Sequence, residues 1–124
     1  MPLTCLIVDD SLEFLEAARQ LLTEDGVTAV GFAATSDEAV EEALALRPDV
    51  ALVDIDLGAE SGIDVARRLV GLAGGGPPVV LISAESGSEL AELVNASGAR
   101  GFVSKSDLSG DAIRNLLAHA GAGD

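Results

Sequence analysis

The sequence predicts an α/β domain in which a parallel sheet of five strands carries helices on both faces. Short apolar runs alternate along the 124-residue chain with segments of helical periodicity, and the connections between them are short. Parallel strands joined by right-handed helical crossovers form an open sheet of this kind. The chain is too short for an eight-fold barrel, so we expect a doubly wound sheet with the strand order 2-1-3-4-5.

The first half of the chain contains two strand–helix units. An apolar run opens the chain and ends at two aspartates, which predicts a short strand. In the next segment Leu12 and Leu22 share one helical stripe, and Gly26 ends that helix, as glycine commonly does. A second apolar run follows, after which Ser36 is positioned as the N-cap of another helix. The predicted strands are residues 3–8 and 27–34, and the predicted helices are residues 11–25 and 36–46.

The second half of the chain contains three more units. The run VALVD is apolar on both faces, as expected of a strand buried in a parallel sheet. The helix after it carries Ile63 and Leu69 on one stripe, and the stretch GGGPP predicts a loop. The predicted strands are residues 50–54, 79–83 and 99–103, and the predicted helices are residues 62–72, 88–97 and 108–119. We expect one domain over residues 1–120, and a tail or the start of a linker at residues 121–124.

The composition argues against several functional classes. With 21 acidic against 7 basic residues the formal net charge is −14, which disfavours direct binding to nucleic acid or to anionic membranes. No apolar run approaches the ~18 residues of a membrane span, and the N-terminus lacks the basic region of a signal peptide. The single cysteine, Cys5, lies in an apolar run and is predicted to be a buried strand thiol. We therefore expect a cytoplasmic protein.

Polar residues follow four of the five predicted strands. Asp9 and Asp10 end the first strand, Asp54 ends the third, Ser83 ends the fourth, and Lys105 follows the fifth. In the order 2-1-3-4-5 these four strands are neighbours and the second strand is an outer edge. Because ligands bind outside the carboxyl ends of the strands in such sheets, all five side chains are predicted to converge on one cleft.

This set of side chains favours phosphoryl transfer. Close like charges repel by about 4 kcal/mol for each pair at an effective dielectric constant of 20, so clustered carboxylates indicate a cation. Oxygen ligands with room for water suit Mg²⁺. A carboxylate nucleophile would accept the phosphoryl group, while the metal, Lys105 and the hydroxyl of Ser83 would bind its oxygens.

The residues at the strand ends resemble those of the receiver domain of two-component response regulators, over essentially the whole chain. The matching pieces are IVDD, VDIDLGAESGIDVARRL, VVLISA and GFVSKSDL, which occur in this order and each at a strand end. The resemblance implies the flavodoxin-like, CheY-like fold and a phospho-acceptor function that depends on Mg²⁺. It also implies no enzymatic activity beyond the domain's own phosphotransfer and slow autodephosphorylation.

The resemblance assigns the acidic residues to separate roles. Asp54 corresponds to the phosphorylation site, and it also contributes to the metal site. Asp10 corresponds to a direct Mg²⁺ ligand, and Asp9 to an acidic partner that holds the metal partly through water. The backbone carbonyl of Asp56 corresponds to the remaining protein ligand.

The same resemblance assigns the other site residues. Ser83 would contact the phosphoryl group and move toward it on activation, and Lys105 would pair with the phosphoryl oxygens. Phe102 matches the aromatic switch position. Three residues depart from the commoner pattern. Gly58 and Ser106 each stand where the family usually has proline, and we expect a trans peptide bond before Ser106. Phe102 lacks the hydroxyl of tyrosine, so a switch at this position would work by packing alone.

The partners implied by the resemblance are a sensor histidine kinase or a phosphotransfer protein. Phosphorylation would change the surface formed by the fourth helix, the fifth strand and the fifth helix (α4-β5-α5), with homodimerisation there on activation. The receiver half of a truncated helix-turn-helix regulator stays open as an alternative. A phosphatase of the haloacid-dehalogenase type is disfavoured because its Asp-x-Asp ends the first strand, and a flavin carrier because the chain lacks Trp, Tyr and a phosphate loop.

Overall fold

The computed structural model describes residues 3–58, 60–72, 74–84 and 90–122. Its main sheet contains the strands β1 (Leu3–Val8), β2 (Val27–Ala33), β3 (Val50–Asp54), β4 (Val79–Ser83) and β5 (Gly101–Ser104). Its helices are α1 (Leu12–Glu24), α2 (Ser36–Leu46), α3 (Gly62–Val70), α4 (Leu90–Ser97) and α5 (Gly110–Ala122). Strands and helices alternate as the sequence predicts. The predicted helix start at residues 88–89 lies outside the described residues.

The sheet is parallel, with the predicted strand order β2-β1-β3-β4-β5. Val8 of β1 pairs with Val53 of β3, and Ser83 of β4 pairs with Ser104 of β5. This register brings the carboxyl ends of the four neighbouring strands to one edge of the sheet. The residues that follow those strand ends therefore lie close together along that edge.

Two apolar clusters fill the two faces of the sheet. In β1, Cys5 and Ile7 face the cluster with α1 and α5, while Leu6 and Val8 face the cluster with α2 and α3. Every residue of β3 is buried, as expected of a central parallel strand. Burial raises the pKa of the Cys5 thiol to about 12, so this cysteine is a neutral core residue.

The helix termini differ from the prediction at a few positions. Thr35, rather than Ser36, is the N-cap of α2, because its hydroxyl accepts a hydrogen bond from the backbone N–H of Glu38 (3.2 Å). Ser36 is the first helical residue, and its hydroxyl instead accepts a hydrogen bond from Arg68 (2.5 Å). No helix within the described part of the chain is long and apolar enough to cross a bilayer.

The two ends of the β5–α5 region also differ from the prediction. Strand β5 ends at Ser104 and is followed by a single 3₁₀ turn, Lys105–Asp107, with no cis peptide bond among the described residues. The trans bond expected before Ser106 is therefore present. Helix α5 continues to Ala122, into the segment predicted as a tail, and residues 123–124 lie outside the described range.

A short hairpin follows the end of β3. Asp56–Leu57 pairs in antiparallel fashion with Glu60–Ser61, an element that the sequence did not predict. Gly58 lies in its turn with φ +74°, a conformation that glycine adopts without a steric penalty. The turn carries the chain directly from the end of β3 to the start of α3.

Candidate functional site

A cavity of about 360 Å³ opens at the carboxyl edge of the sheet, and we call it the carboxyl-end cavity. It brings together the predicted acidic residues, the hydroxyl of Ser83 and the ammonium of Lys105. Its lining residues are Asp9, Asp10, Ser11, Asp54, Ile55, Asp56, Ser83, Ala84 and Lys105. Among the predicted site residues, Phe102 is the one outside this lining.

Three carboxylates form the centre of the cavity, and we call Asp9, Asp10 and Asp54 the acidic triad. Each offers an oxygen within 4.8 Å of the other two. Asp9 is completely buried and Asp54 is 5% exposed, whereas Asp10 faces solvent. Asp9 is held by its own backbone N–H, which donates to Ala33 O (2.9 Å) of β2, and by the N–H of Ser11, which donates to Asp9 Oδ1 (2.8 Å).

Asp54 is the last residue of β3 and has both carboxylate oxygens engaged. Its Oδ1 accepts a hydrogen bond from the N–H of Asp56 (3.1 Å), and its Oδ2 accepts one from Lys105 Nζ (3.1 Å). Burial raises the pKa of Asp54, and the charge of Asp9 adds to that rise. The hydrogen bonds from Asp56 and Lys105 oppose it without cancelling it.

Lys105 supplies the positive charge beside the acidic triad. Its Nζ lies 2.8 Å from Asp9 Oδ2 and 3.1 Å from Asp54 Oδ2. Burial alone would lower the pKa of Lys105, but the two adjacent carboxylates outweigh it and raise that pKa above its ordinary value. Nζ also lies 4.2 Å from the centroid of the Phe14 ring, a contact that the sequence analysis missed.

The acidic triad has the properties of a divalent-cation site. Asp9 Oδ2 is fully buried and pairs with Lys105 Nζ (2.8 Å), but among the described residues no backbone N–H or hydroxyl donates to it. One ammonium against three carboxylates leaves negative charge in excess, and all the ligand atoms on offer are oxygens. Oxygen-only ligands with one solvent-facing side suit Mg²⁺, which keeps several waters. The residues present therefore fit the ion that the sequence analysis expects.

Asp56 lies at the rim of the same cavity. Its side chain is exposed, and its Oδ1 accepts a hydrogen bond from the N–H of Gly58 (3.2 Å) within the hairpin turn. The carboxylate of Asp56 thus stabilises its own turn, while its N–H serves Asp54. The role of its backbone carbonyl as a metal ligand stays a prediction.

Ser83 and Phe102 lie on neighbouring strands but in different surroundings. Ser83 ends β4, is 9% exposed and lines the carboxyl-end cavity. Phe102 in β5 is half-buried and packs against the apolar cluster on the α2–α3 face of the sheet. The switch roles of both residues stay predictions.

Gly62 fixes the position at which α3 begins. A Cβ atom at this residue would overlap the backbone carbonyl of Asp54, and the N–H of Gly62 donates to Ile55 O (2.8 Å). The first turn of α3 is therefore in direct contact with the strand end that carries Asp54. Any side chain larger than hydrogen would displace one of these two backbone segments.

Comparison with known proteins assigns this arrangement to a family. The family model for the response regulator receiver domain matches residues 5–117. A protein-glutamate methylesterase/protein-glutamine glutaminase of Alkalilimnicola ehrlichii is 35% identical over 116 residues, which cover 90% of this chain and 29% of that protein. The chain thus spans less than a third of the length of this relative.

Two solved structures agree with this assignment. The signal receiver domain of a modulated diguanylate cyclase from Desulfovibrio desulfuricans G20 is 30% identical, with a TM-score of 0.77, and the match covers 97% of this chain and 94% of that one. The signal receiver domain of the putative response regulator NarL from Mycobacterium tuberculosis is 28% identical, with a TM-score of 0.80 and 96% of each chain covered. The resemblance inferred from the strand-end motifs is confirmed, and the chain belongs to the response regulator receiver domain family.

Proposed function

We propose that this receiver domain is a Mg²⁺-dependent phospho-acceptor that is phosphorylated on Asp54. The observation that carries the proposal is the single ammonium of Lys105, which lies against two carboxylates of the acidic triad at the carboxyl end of a central strand. Phosphoryl transfer needs positive charge next to an anionic nucleophile, and it depends on positioning and electrostatic stabilisation.

Asp54 is the best suited of the three carboxylates to act as nucleophile. Asp9 is completely buried, and its Oδ1 already accepts a hydrogen bond from the N–H of Ser11. Asp10 is exposed. Asp54 combines a fixed orientation, given by the N–H of Asp56 and by Lys105, with a place on the lining of the cavity.

The proposed step is an in-line transfer. A carboxylate oxygen of Asp54 forms a bond to phosphorus as the bond from phosphorus to the donor's imidazole nitrogen breaks, and the electron pair of that bond leaves with the imidazole. Lys105 pairs with a phosphoryl oxygen, and the hydroxyl of Ser83 donates to another. Bound Mg²⁺, held by Asp9, Asp10, Asp54 and the carbonyl of Asp56, would neutralise charge on the transferred group.

The proposed donor is the phosphohistidine of a sensor histidine kinase or of a phosphotransfer protein in the cytoplasm. Receiver domains act in two-component signalling, and the proposed output here is a population shift at the surface formed by α4, β5 and α5. Movement of Ser83 and Phe102 would accompany it, and a homodimer could form on this surface. The hydrogen bond from the N–H of Gly58 to the Asp56 carboxylate supports a structural role for that side chain in the hairpin turn.

Intact-mass measurement after incubation with acetyl phosphate and Mg²⁺ tests the proposal. Wild type should gain one phosphoryl group, and Asp54→Asn should gain none. The matched control is Asp64→Asn, which removes an exposed carboxylate of α3 outside the cavity and should behave as wild type. A phosphoryl group gained equally by wild type and by Asp54→Asn would refute the assignment.

A further inference from the structure

An aromatic ring contacts the ammonium of Lys105 in addition to the two carboxylates. The Phe14 centroid lies 4.2 Å from Lys105 Nζ, well within the range of a cation–π contact. Phe14 sits in the first turn of α1, where its backbone N–H donates to the N-cap hydroxyl of Ser11 (3.2 Å). The N–H of Ser11 donates in turn to Asp9 Oδ1 (2.8 Å), so the ring and the acidic triad share one local framework.

The ring differs from the other contacts of Lys105 in one respect. Nζ otherwise touches Asp9 Oδ2 and Asp54 Oδ2, which are the oxygens of residues that a divalent cation would bind. A cation seated there would compete with the ammonium for the same charge. The ring is neutral and offers no oxygen to a metal, so its attraction for the ammonium persists when the carboxylates are shared.

We propose that Phe14 is a positioning residue that holds the ammonium of Lys105 at the carboxyl-end cavity through this contact. The inference rests on the proposed function, because a fixed Lys105 matters only if its ammonium pairs with a phosphoryl oxygen. A lysine side chain has four methylenes and considerable rotamer freedom, and a fixed third contact lessens the freedom lost when the phosphoryl group arrives. Phe14 itself does not touch the reacting atoms.

A purely structural role for Phe14 makes different predictions. Phe14 is half-buried and packs against the apolar cluster on the α1–α5 face, so any large apolar residue would satisfy packing alone. Phe14→Leu keeps an apolar side chain and removes the ring, whereas Phe14→Tyr keeps the ring. Leu21 lines, together with Phe14 and Lys105, a shallow pocket beside α1 and is 40% exposed. Leu21→Ala is therefore a matched control that removes apolar bulk without removing a ring.

The chain offers an unusually direct readout, because Lys105 is its only lysine. Lysine labelled with ¹³C at Cε gives a single side-chain signal in the whole protein, whose chemical shift reports the ring current of Phe14. We expect a ring-shifted signal in wild type and in Phe14→Tyr, with and without Mg²⁺. In Phe14→Leu the signal should move to the position of an ordinary lysine.

The rate of phosphorylation by acetyl phosphate and Mg²⁺ is the second readout. Phe14→Leu should be about 3- to 10-fold slower, the loss expected for a partly exposed cation–π contact, and Phe14→Tyr should restore the wild-type rate. Leu21→Ala should keep both the rate and the shifted signal. The inference is overturned if Phe14→Leu keeps the wild-type shift and rate, or if Phe14→Tyr is as slow as Phe14→Leu. Failure of wild type to be phosphorylated would refute the proposed function instead, and the lysine signal would still decide whether the ring holds Lys105.

Discussion

The two ends of the sheet carry cavities of similar size that differ in the balance of charge on their linings. The carboxyl-end cavity measures about 360 Å³ and holds the acidic triad, whereas a cavity of about 390 Å³ lies at the amino ends of β3 and β4. We call the latter the amino-end cavity. It is lined by the last turn of α2, the residues before β3 and the loop before β4, namely Ala43, Leu44, Arg47, Pro48, Asp49, Leu72, Gly74, Gly75, Gly76, Pro77 and Pro78.

The two cavities differ in whether the carboxylates on their linings are compensated by hydrogen bonds and positive charge. At the amino-end cavity, Asp49 Oδ2 accepts hydrogen bonds from the N–H (2.8 Å) and the hydroxyl (3.1 Å) of Thr4, and the N–H of Asp49 is bonded to Thr4 as well. At the carboxyl-end cavity, three carboxylates face one another and share the single ammonium of Lys105. Cavity volume therefore does not distinguish the functional end of this sheet, and uncompensated charge does.

The largest effect that would test this contrast is stabilisation by Mg²⁺. A ligand that binds only the folded state at 100 times its dissociation constant adds about 2.7 kcal/mol to the free energy of unfolding. Thermal unfolding of wild type should shift upward with Mg²⁺, and Asp9→Asn should abolish most of that shift. Asp49→Asn, the matched change at the amino-end cavity, should keep the Mg²⁺-dependent shift. Equal Mg²⁺ responses in the two variants would remove the contrast between the cavities.

A smaller effect is expected from Asp54→Asn in metal-free protein. Burial raises the pKa of Asp54 in the folded state, so its ionisation opposes folding, and wild-type stability falls as pH rises through that pKa. The neutral variant should therefore be more stable than wild type at pH 7, by about 1.4 kcal/mol for each pKa unit by which the folded state raises the pKa of Asp54. Urea unfolding in the presence of EDTA should show that the difference in unfolding free energy between the variant and wild type disappears below pH 3.8, the ordinary pKa of an aspartate. An advantage that does not change with pH would contradict the electrostatic cause.

The smallest effect concerns Arg47 at the amino-end cavity. Arg47 caps α2 with φ +46°, a left-handed conformation that costs a residue with a side chain more than it costs glycine. Arg47→Gly should stabilise the fold by about 0.5 kcal/mol, because the strain relieved exceeds the added unfolded-state entropy. Denaturant unfolding measures this, and phosphorylation of Asp54 should be unchanged. A loss of phosphorylation would show that the amino-end cavity is not separate from the site.

Most of the carboxyl-end cavity could be predicted from the sequence because strand ends are easily located. A run such as VALVD between turn signals is typical of a buried strand, and its last residue, Asp54, is then expected at the carboxyl edge of the sheet. The strand order places Asp9 and Lys105 beside it without any knowledge of side-chain conformation. These predictions depend on topology and strand direction, which the pattern of apolar runs determines well.

The features that the sequence did not predict depend on the direction of individual side chains and on which of two neighbouring residues makes a given hydrogen bond. Phe14 has the ordinary spacing of a core residue on α1, and only its place in the first turn, five residues after Asp9, hints at the site. Thr35 and Ser36 are both good N-caps; Thr35 takes that position, and the hydroxyl of Ser36 accepts a hydrogen bond from Arg68. The hairpin at Asp56–Leu57 is two residues a strand, too short for alternation to reveal.

The close contact between Gly62 and the carbonyl of Asp54 also has a consequence for how this domain can vary. A saturation library at position 62 should be almost empty of functional members, while the neighbouring exposed Asp64 should accept many residues. Because the overlap is with backbone, no compensating side-chain change elsewhere could make room. The depth at which Asp54 sits in its cavity is thus set by the absence of one methyl group on a helix that carries none of the charged site residues.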